Sequence, residues 1–208
     1  MLLRQLFDRE TSTYTYLIAD PVSREAALID PVLEQADRDM KLIEQLGLEL
    51  RYALDTHVHA DHVTASGRLR ELTGCTTVAG IGGAACADRL LKAGDELPLG
   101  ELTIRVLETP GHTDDSVSYL VDNHVFTGDA LFIRGTGRTD FQNGDAGQLF
   151  DSITKVLFAL DDTTEVWPGH DYRGHTMSTI GEEKRFNPRL VDRTRDEFIK
   201  LMGELGLP

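Results

Sequence analysis

Apolar and polar residues alternate in short runs through the first part of the chain. Tyr14-Thr15-Tyr16-Leu17-Ile18-Ala19 is aromatic and β-branched, which predicts a strand closed by a turn at Asp20-Pro21. Ala26-Ala27-Leu28-Ile29 predicts a second strand, closed by Asp30-Pro31. The period then lengthens. Met40, Ile43 and Leu46 recur at threes and predict a helix over 34–46, with Gly47 as its stop. Leu50-Arg51-Tyr52-Ala53-Leu54 returns to a strand pattern, and Val63, Leu69 and Leu72 mark a helix ending at Gly74. Short strands follow over 76–79, 102–107, 117–121 and 125–127, with Asp122-Asn123 as a hairpin turn between the last two. Phe150, Ile153, Val156, Leu157 and Leu160 share one side of a helix over 149–160. Glu165-Val166-Trp167 predicts the last strand, and the tail over 187–205 is helical. Strands arrive in two batches, each with helices to cover one face. The pattern predicts two packed sheets with helices outside.

Composition narrows the function classes. The chain has 208 residues and a formal net charge of -14, so it repels nucleic acid and anionic membrane. No apolar run approaches the roughly 20 residues that span a bilayer. The opening Met1-Leu2-Leu3-Arg4-Gln5-Leu6-Phe7-Asp8 has neither the apolar core of a secretory signal nor the Arg/Ser-rich character of a transit peptide. The expectation is a cytoplasmic protein with a single domain over 1–208. Cys75 and Cys86 are too few for a disulfide framework and read as small buried apolar residues in a reducing compartment.

The chemistry concentrates in Thr56-His57-Val58-His59-Ala60-Asp61-His62, where three histidines and an aspartate fall within six consecutive residues. Imidazole nitrogens and carboxylate oxygens are the ligands of zinc, iron or manganese. The run follows a strand, as do three other polar residues. Pro110-Gly111-His112, Gly128-Asp129 and Pro168-Gly169-His170 each deliver a ligand-type residue beside glycine just past an apolar run. Taken singly, His112 and His170 read as satisfied or solvated residues and Asp129 as a cap. Together with the His57–His62 run they point to one metal site at a shared sheet edge. His124 and His175 lack such a setting and read as surface residues. Gly80-Ile81-Gly82-Gly83-Ala84-Ala85 fits the spacing of a dinucleotide fingerprint, but no βαβ unit follows, and it reads as a small-residue turn.

These blocks resemble the metallo-β-lactamase superfamily, with His57-Val58-His59-Ala60-Asp61-His62 matching its HxHxDH signature and His112, Asp129 and His170 its later ligand positions. The resemblance implies an αββα sandwich, an α/β fold of two mixed sheets with helices on the outer faces. Within the superfamily, residues 127–142, His170-Asp171-Tyr172, Glu182-Glu183 and Asn187-Pro188-Arg189-Leu190 resemble the persulfide dioxygenase (sulfur dioxygenase) family. That implies one Fe(II) per chain held by His57, His112 and Asp129, a facial triad with three open positions. It implies glutathione persulfide and O2 as substrates, sulfite and glutathione as products, and a homodimer as relatives form. His59, Asp61, His62 and His170 then either surround the single iron or hold a second metal; residue types are the same in both cases. Arg138, Tyr172 and, more weakly, Arg189 are the residues to hold glutathione, by a guanidinium fork and a phenol. The plainer reading pairs Arg138 with Asp140 and packs Tyr172. Several members carry Cys where Thr136 stands, and Thr136 supplies no thiol. The rival is a glyoxalase II-like hydrolase with two metals acting on a thioester. A metal-dependent sensor on the same fold ranks last, since no DNA-binding segment is evident.

Overall fold

The computed structural model describes residues 1–205. Its first sheet runs β1 (Leu2–Phe7), β2 (Tyr14–Ala19), β3 (Glu25–Ile29), β4 (Glu49–Leu54), β5 (Thr76–Gly80) and β6 (Arg89–Leu91) in that spatial order. β1, β2 and β3 pair antiparallel, and β3 to β6 pair parallel. The second sheet is built from β7 (Glu96–Leu99), β8 (Leu102–Glu108), β9 (Val117–Val121), β10 (His124–Gly128), β13 (Glu165–Pro168) and β14 (Ser178–Thr179), in the order β14-β13-β10-β9-β8-β7. Only β10 and β13 pair parallel there; the other pairs are antiparallel. A small hairpin, β11 (Leu131–Phe132) with β12 (Gly135–Thr136), stands beside β10.

Alternation along the strands builds four layers. Tyr16 and Ile18 of β2 face the second sheet and pack with Ile29, Leu54, Ile104, Tyr119 and Phe126. Their neighbours Leu17 and Ala19 face the other way, against Ile43 of α1 (Ala36–Gln45) and Leu69 of α2 (Ser66–Thr73). On the far side, Val125 and Val166 pack under Leu149 of α3 (Ala146–Asp151) and Phe198 of α5 (Arg195–Glu204). The fold is therefore the αββα sandwich of two mixed sheets.

Departures from the sequence pattern have local causes. β1, β7 and α4 (Ile180–Phe186) are elements the pattern did not mark. Residues 86–91 form a turn and then β6, and no βαβ unit follows the glycine run. Trp167 does not end the strand set, because β14 pairs back on β13. Val63 lies outside α2 and is exposed. The helix starts only at Ser66 because the hydroxyls of Thr64 and Ser66 donate to the Asp55 carboxylate (2.6 and 2.9 Å). The helix expected from 149 begins at Ala146, capped by the Asp145 side chain, and continues through a π stretch at Ser152–Val156. The tail is not helical from 187. Asn187 precedes Pro188 and is extended, which stops α4. A Thr194/Glu197 capping box starts α5. Cys75 is buried, but Cys86 is exposed, against expectation.

Phe126 is fully buried between the two sheets. Phe126→Ala is expected to cost about 3–5 kcal/mol of folding stability, read as a lowered urea midpoint with an unchanged slope.

Candidate metal centre

Four strand ends meet at one edge of the sandwich. The stretch after β4 carries Asp55, Thr56 and His57; the ends of β8, β10 and β13 lead to His112, Asp129 and His170. Main-chain bonds stitch the sheets together here. Val117 N donates to Thr56 O (2.8 Å) and Tyr14 N to Gly169 O (2.8 Å) across the sheets, and Gly169 N to Gly128 O (2.8 Å) within the second sheet. Close approach demands glycine at two of these turns. Gly128 has φ +48° and lies against Thr56, so a Cβ there would collide with the Thr56 hydroxyl. Gly111 has φ +135° and lies against the backbone of Leu149.

His57, His112 and Asp129 are all buried, and each offers one ligand atom within 4.8 Å of the others. Both rings have their orientation set from behind. His57 Nδ1 is 2.9 Å from Thr56 Oγ1. That hydroxyl donates to Asp30 Oδ2 (2.9 Å), so the shared proton lies on Nδ1 and Nε2 keeps its lone pair. His112 Nδ1 donates to the carbonyl of Arg138 (2.8 Å), with the same result for its Nε2. Burial and the neighbouring His59 pull the His57 pKa down to about 3, so the ring is neutral, as a ligand must be. Burial pushes Asp129 up, but His170, His112 and His57 outweigh it and hold the carboxyl well below the usual range.

His170 is clamped between two carboxylates. Its Nδ1 donates to Asp129 Oδ1 (2.7 Å) and its Nε2 to Asp61 Oδ2 (3.0 Å). Burial opposes the charge, yet the Asp129 carboxylate pushes the imidazole well above its ordinary value. Asp61 Oδ2 also receives His62 Nδ1 (3.0 Å) and Thr13 Oγ1 (3.2 Å). His59 Nε2 lies 3.2 Å from Asp30 Oδ1, and that carboxylate, working against burial, raises the ring to about 9. His59 Nδ1 and His62 Nε2 are buried without a partner among the described residues. His59, Asp61 and His62 form a second group of ligand atoms within 4.8 Å.

A cavity of about 650 Å³ opens over His112, Asp129 and His170. Arg138, Tyr172 and Arg189 all line it. Arg138 holds Asp140 through two bonds of 2.8 and 3.0 Å, the pairing that the plainer sequence reading anticipates. Tyr172 is exposed and stacks on the His170 ring at 6.0 Å. Arg189 donates to the carbonyl of Thr136 (2.6 Å), and Thr136 itself is buried in the wall. His175 is on the surface, whereas His124 is half-buried between Glu165 and Trp167. The glycine run after β5 is a turn, as expected.

Sequence reading missed Asp30, Thr56 and Thr13. Asp30 stands at the end of β3, just as Asp129 stands at the end of β10, and that parallel was the available signal. Thr13 has no signal in the chain; it is placed by the bridge it forms with His170. Thr56→Val removes the hydroxyl that links Asp30 to His57. It is expected to weaken metal affinity about 10–100-fold, measured by competition with a chromogenic chelator, and to lower the thermal midpoint, because a buried Asp30 oxygen loses its hydroxyl donor.

Comparison with known proteins places this geometry in a family. The model of the metallo-β-lactamase superfamily matches residues 8–84 and 87–170. The chain is 48% identical to human persulfide dioxygenase ETHE1, mitochondrial, over 100% of its own length and 83% of that protein. It superposes on the crystal structure of ETHE1 from Myxococcus xanthus with a TM-score of 0.99 at 60% identity, covering 100% of this chain and 92% of that one. TTHA1623, solved in a di-iron-bound form, is 28% identical with a TM-score of 0.75, covering 89% of this chain and 98% of that one. The chain belongs to the metallo-β-lactamase superfamily and, within it, to the persulfide dioxygenases, metal-dependent oxidoreductases.

Proposed function

We propose that this enzyme converts glutathione persulfide, O2 and water to glutathione and sulfite at a single Fe(II) held by His57, His112 and Asp129. The observation that carries the reading is the donor set: two imidazoles presenting Nε2 and one carboxylate, all within 4.8 Å, with His112 and Asp129 in the wall of an open cavity. Two histidines and one carboxylate on one face favour non-haem iron with free positions. Bound iron supplies the one-electron chemistry toward O2 that side chains lack. The balance is one persulfide, one O2 and one water giving one thiol, one sulfite and two protons. The oxidised atom is the outer sulfur, and O2 takes the electrons.

The chain's own residues position the reactants. Thr56 and the Arg138 carbonyl fix the two rings, and His170 braces Asp129 from behind. Tyr172 offers a flat apolar face at the mouth, and Arg138 and Arg189 stand in the wall. Cys75 and Cys86 are both free, which fits a reducing compartment such as the cytoplasm.

The orphaned nitrogens of His59 and His62 favour a second reading, with two metals. The ETHE1 relatives favour the dioxygenase over a glyoxalase II-like hydrolase.

Purified protein is expected to hold about one iron per chain by elemental analysis and to consume O2 and form sulfite in equal amounts when given glutathione persulfide. Two zinc ions, with hydrolysis of S-lactoylglutathione and no oxygen uptake, would overturn the proposal. His57→Ala, His112→Ala and Asp129→Ala are each expected to lose both iron and oxygen uptake. A fully active Asp129→Ala would show the ligand assignment to be wrong.

A further inference from the structure

A second cavity, of about 570 Å³, opens on the flank of the metal centre. Asp8, Glu10, Glu34 and Asp61 stand in its wall, together with Arg9 and His62. Burial pushes Asp8 up, but hydrogen bonds from Thr11 and Gln35 outweigh it and keep the carboxyl below its usual range. Four carboxylates thus face a single guanidinium in this wall. The cavity over the centre is lined differently. It carries four arginines, of which Arg134 is matched by Glu182 (2.9 Å) and Arg138 by Asp140 (2.8 Å). A cleft walled by one sign of charge concentrates the opposite ion. The acidic cavity therefore draws in a divalent cation and repels a persulfide anion.

Asp61 is the partition between the two cavities. It lines the acidic one, while its Oδ2 accepts from Nε2 of His170 (3.0 Å), which lines the other. His62 also stands in the acidic wall, with its side chain only 1% exposed. Its Nδ1 donates to Asp61 Oδ2 (3.0 Å), so the neutral ring keeps its lone pair on Nε2. That nitrogen is the buried one without a partner among the described residues. A polar atom buried unpaired carries a cost that a cation in passage relieves. From His62 a row of imidazoles leads inward. The ring centres of His62 and His59 are 4.3 Å apart, and those of His59 and His57 are 4.2 Å apart. Ligand-type nitrogens thus mark the way from the acidic wall to the triad.

We propose that the cavity walled by Asp8, Glu10, Glu34 and Asp61 is the entrance for the divalent cation, with Asp61 and His62 as its inner gate, separate from the mouth that admits persulfide. Cation and anionic substrate then do not compete for one opening. Asp61, His62 and His59 serve passage of the ion, and the triad serves its residence. The proposal rests on the reading that His57, His112 and Asp129 hold the resident metal.

Rates of metal uptake and release read the entrance without turnover. The double variant Glu10→Gln/Glu34→Gln keeps side-chain size at two exposed positions. Metal-free full-length protein is mixed anaerobically with Fe(II), and unbound iron is read with a chromogenic chelator. Uptake is expected to slow about 10-fold in the variant at low salt, and the steep decline of the original rate with added salt should flatten. The two charges lie on the path and not at its end. Release of iron from loaded enzyme to excess chelator should therefore slow by a similar factor, with equilibrium affinity held within about 3-fold. Oxygen uptake per bound iron should match the original enzyme. Glu44→Gln/Glu101→Gln removes two exposed charges elsewhere and should change neither rate. Unchanged uptake in the first variant, equal slowing in the second, or slower uptake with affinity weakened to match would overturn the entrance. Slowed entry of two zinc ions per chain, with no oxygen uptake on any persulfide, would overturn the proposed reaction and leave the entrance standing.

Discussion

The carboxylate of Asp30 is the contact on which the site's geometry turns. It is buried at the end of β3, in the left-handed region at φ 50°, which a non-glycine residue enters only when its surroundings hold it. Its oxygens accept from the backbone and hydroxyl of Thr56 and meet His59. Its own carbonyl accepts from Thr15 of β2. One residue thus joins β2, β3 and the loop after β4, and the orientation of His57 follows from it. Unpaired, such a charge is expensive inside a protein. Every donor around it is therefore held in place by the need to keep it satisfied.

The same economy governs the far side of the centre. Asp129, His170, Asp61 and His62 run in an unbroken row of hydrogen bonds, opposite charges alternating along most of it. Thr13 closes the row from β2's leading edge. The sheets need not touch through side chains of the apolar core to stay in register at this edge, because the polar row and two main-chain bonds span it. Packing between Tyr16, Phe126 and their neighbours then sets the distance between the layers.

Much of this was legible in the chain, and the limits are physical. Strand ends that pair glycine with His or Asp marked His57, His112, Asp129 and His170, because close backbone approach and ligand chemistry both leave a trace in residue type. The sandwich was legible from the two batches of strands. β1 and β7 were not, because their apolar residues are half-exposed or interrupted by Pro98 and give little contrast. Asp30 looked like a turn residue because Asp-Pro is a common turn signal. The division of labour among the arginines could not be read at all. Whether a guanidinium is already matched by a carboxylate depends on residues such as Glu182, 48 positions from Arg134, that only the fold brings near.

Thr136 has a consequence that reaches past the wall it builds. It is buried beside Arg189 and Met202, and no cysteine lines the cavity among the described residues. Sulfane sulfur hops readily between thiolates. A chamber with hydroxyl and guanidinium groups in its wall instead has no thiolate to which that atom could be passed, so the outer sulfur stays on its carrier until it is oxidised. Cys86, out on the opposite sheet's turn, is the accessible thiol, and it lies away from the chamber. Self-modification and turnover are thereby kept on separate parts of the molecule.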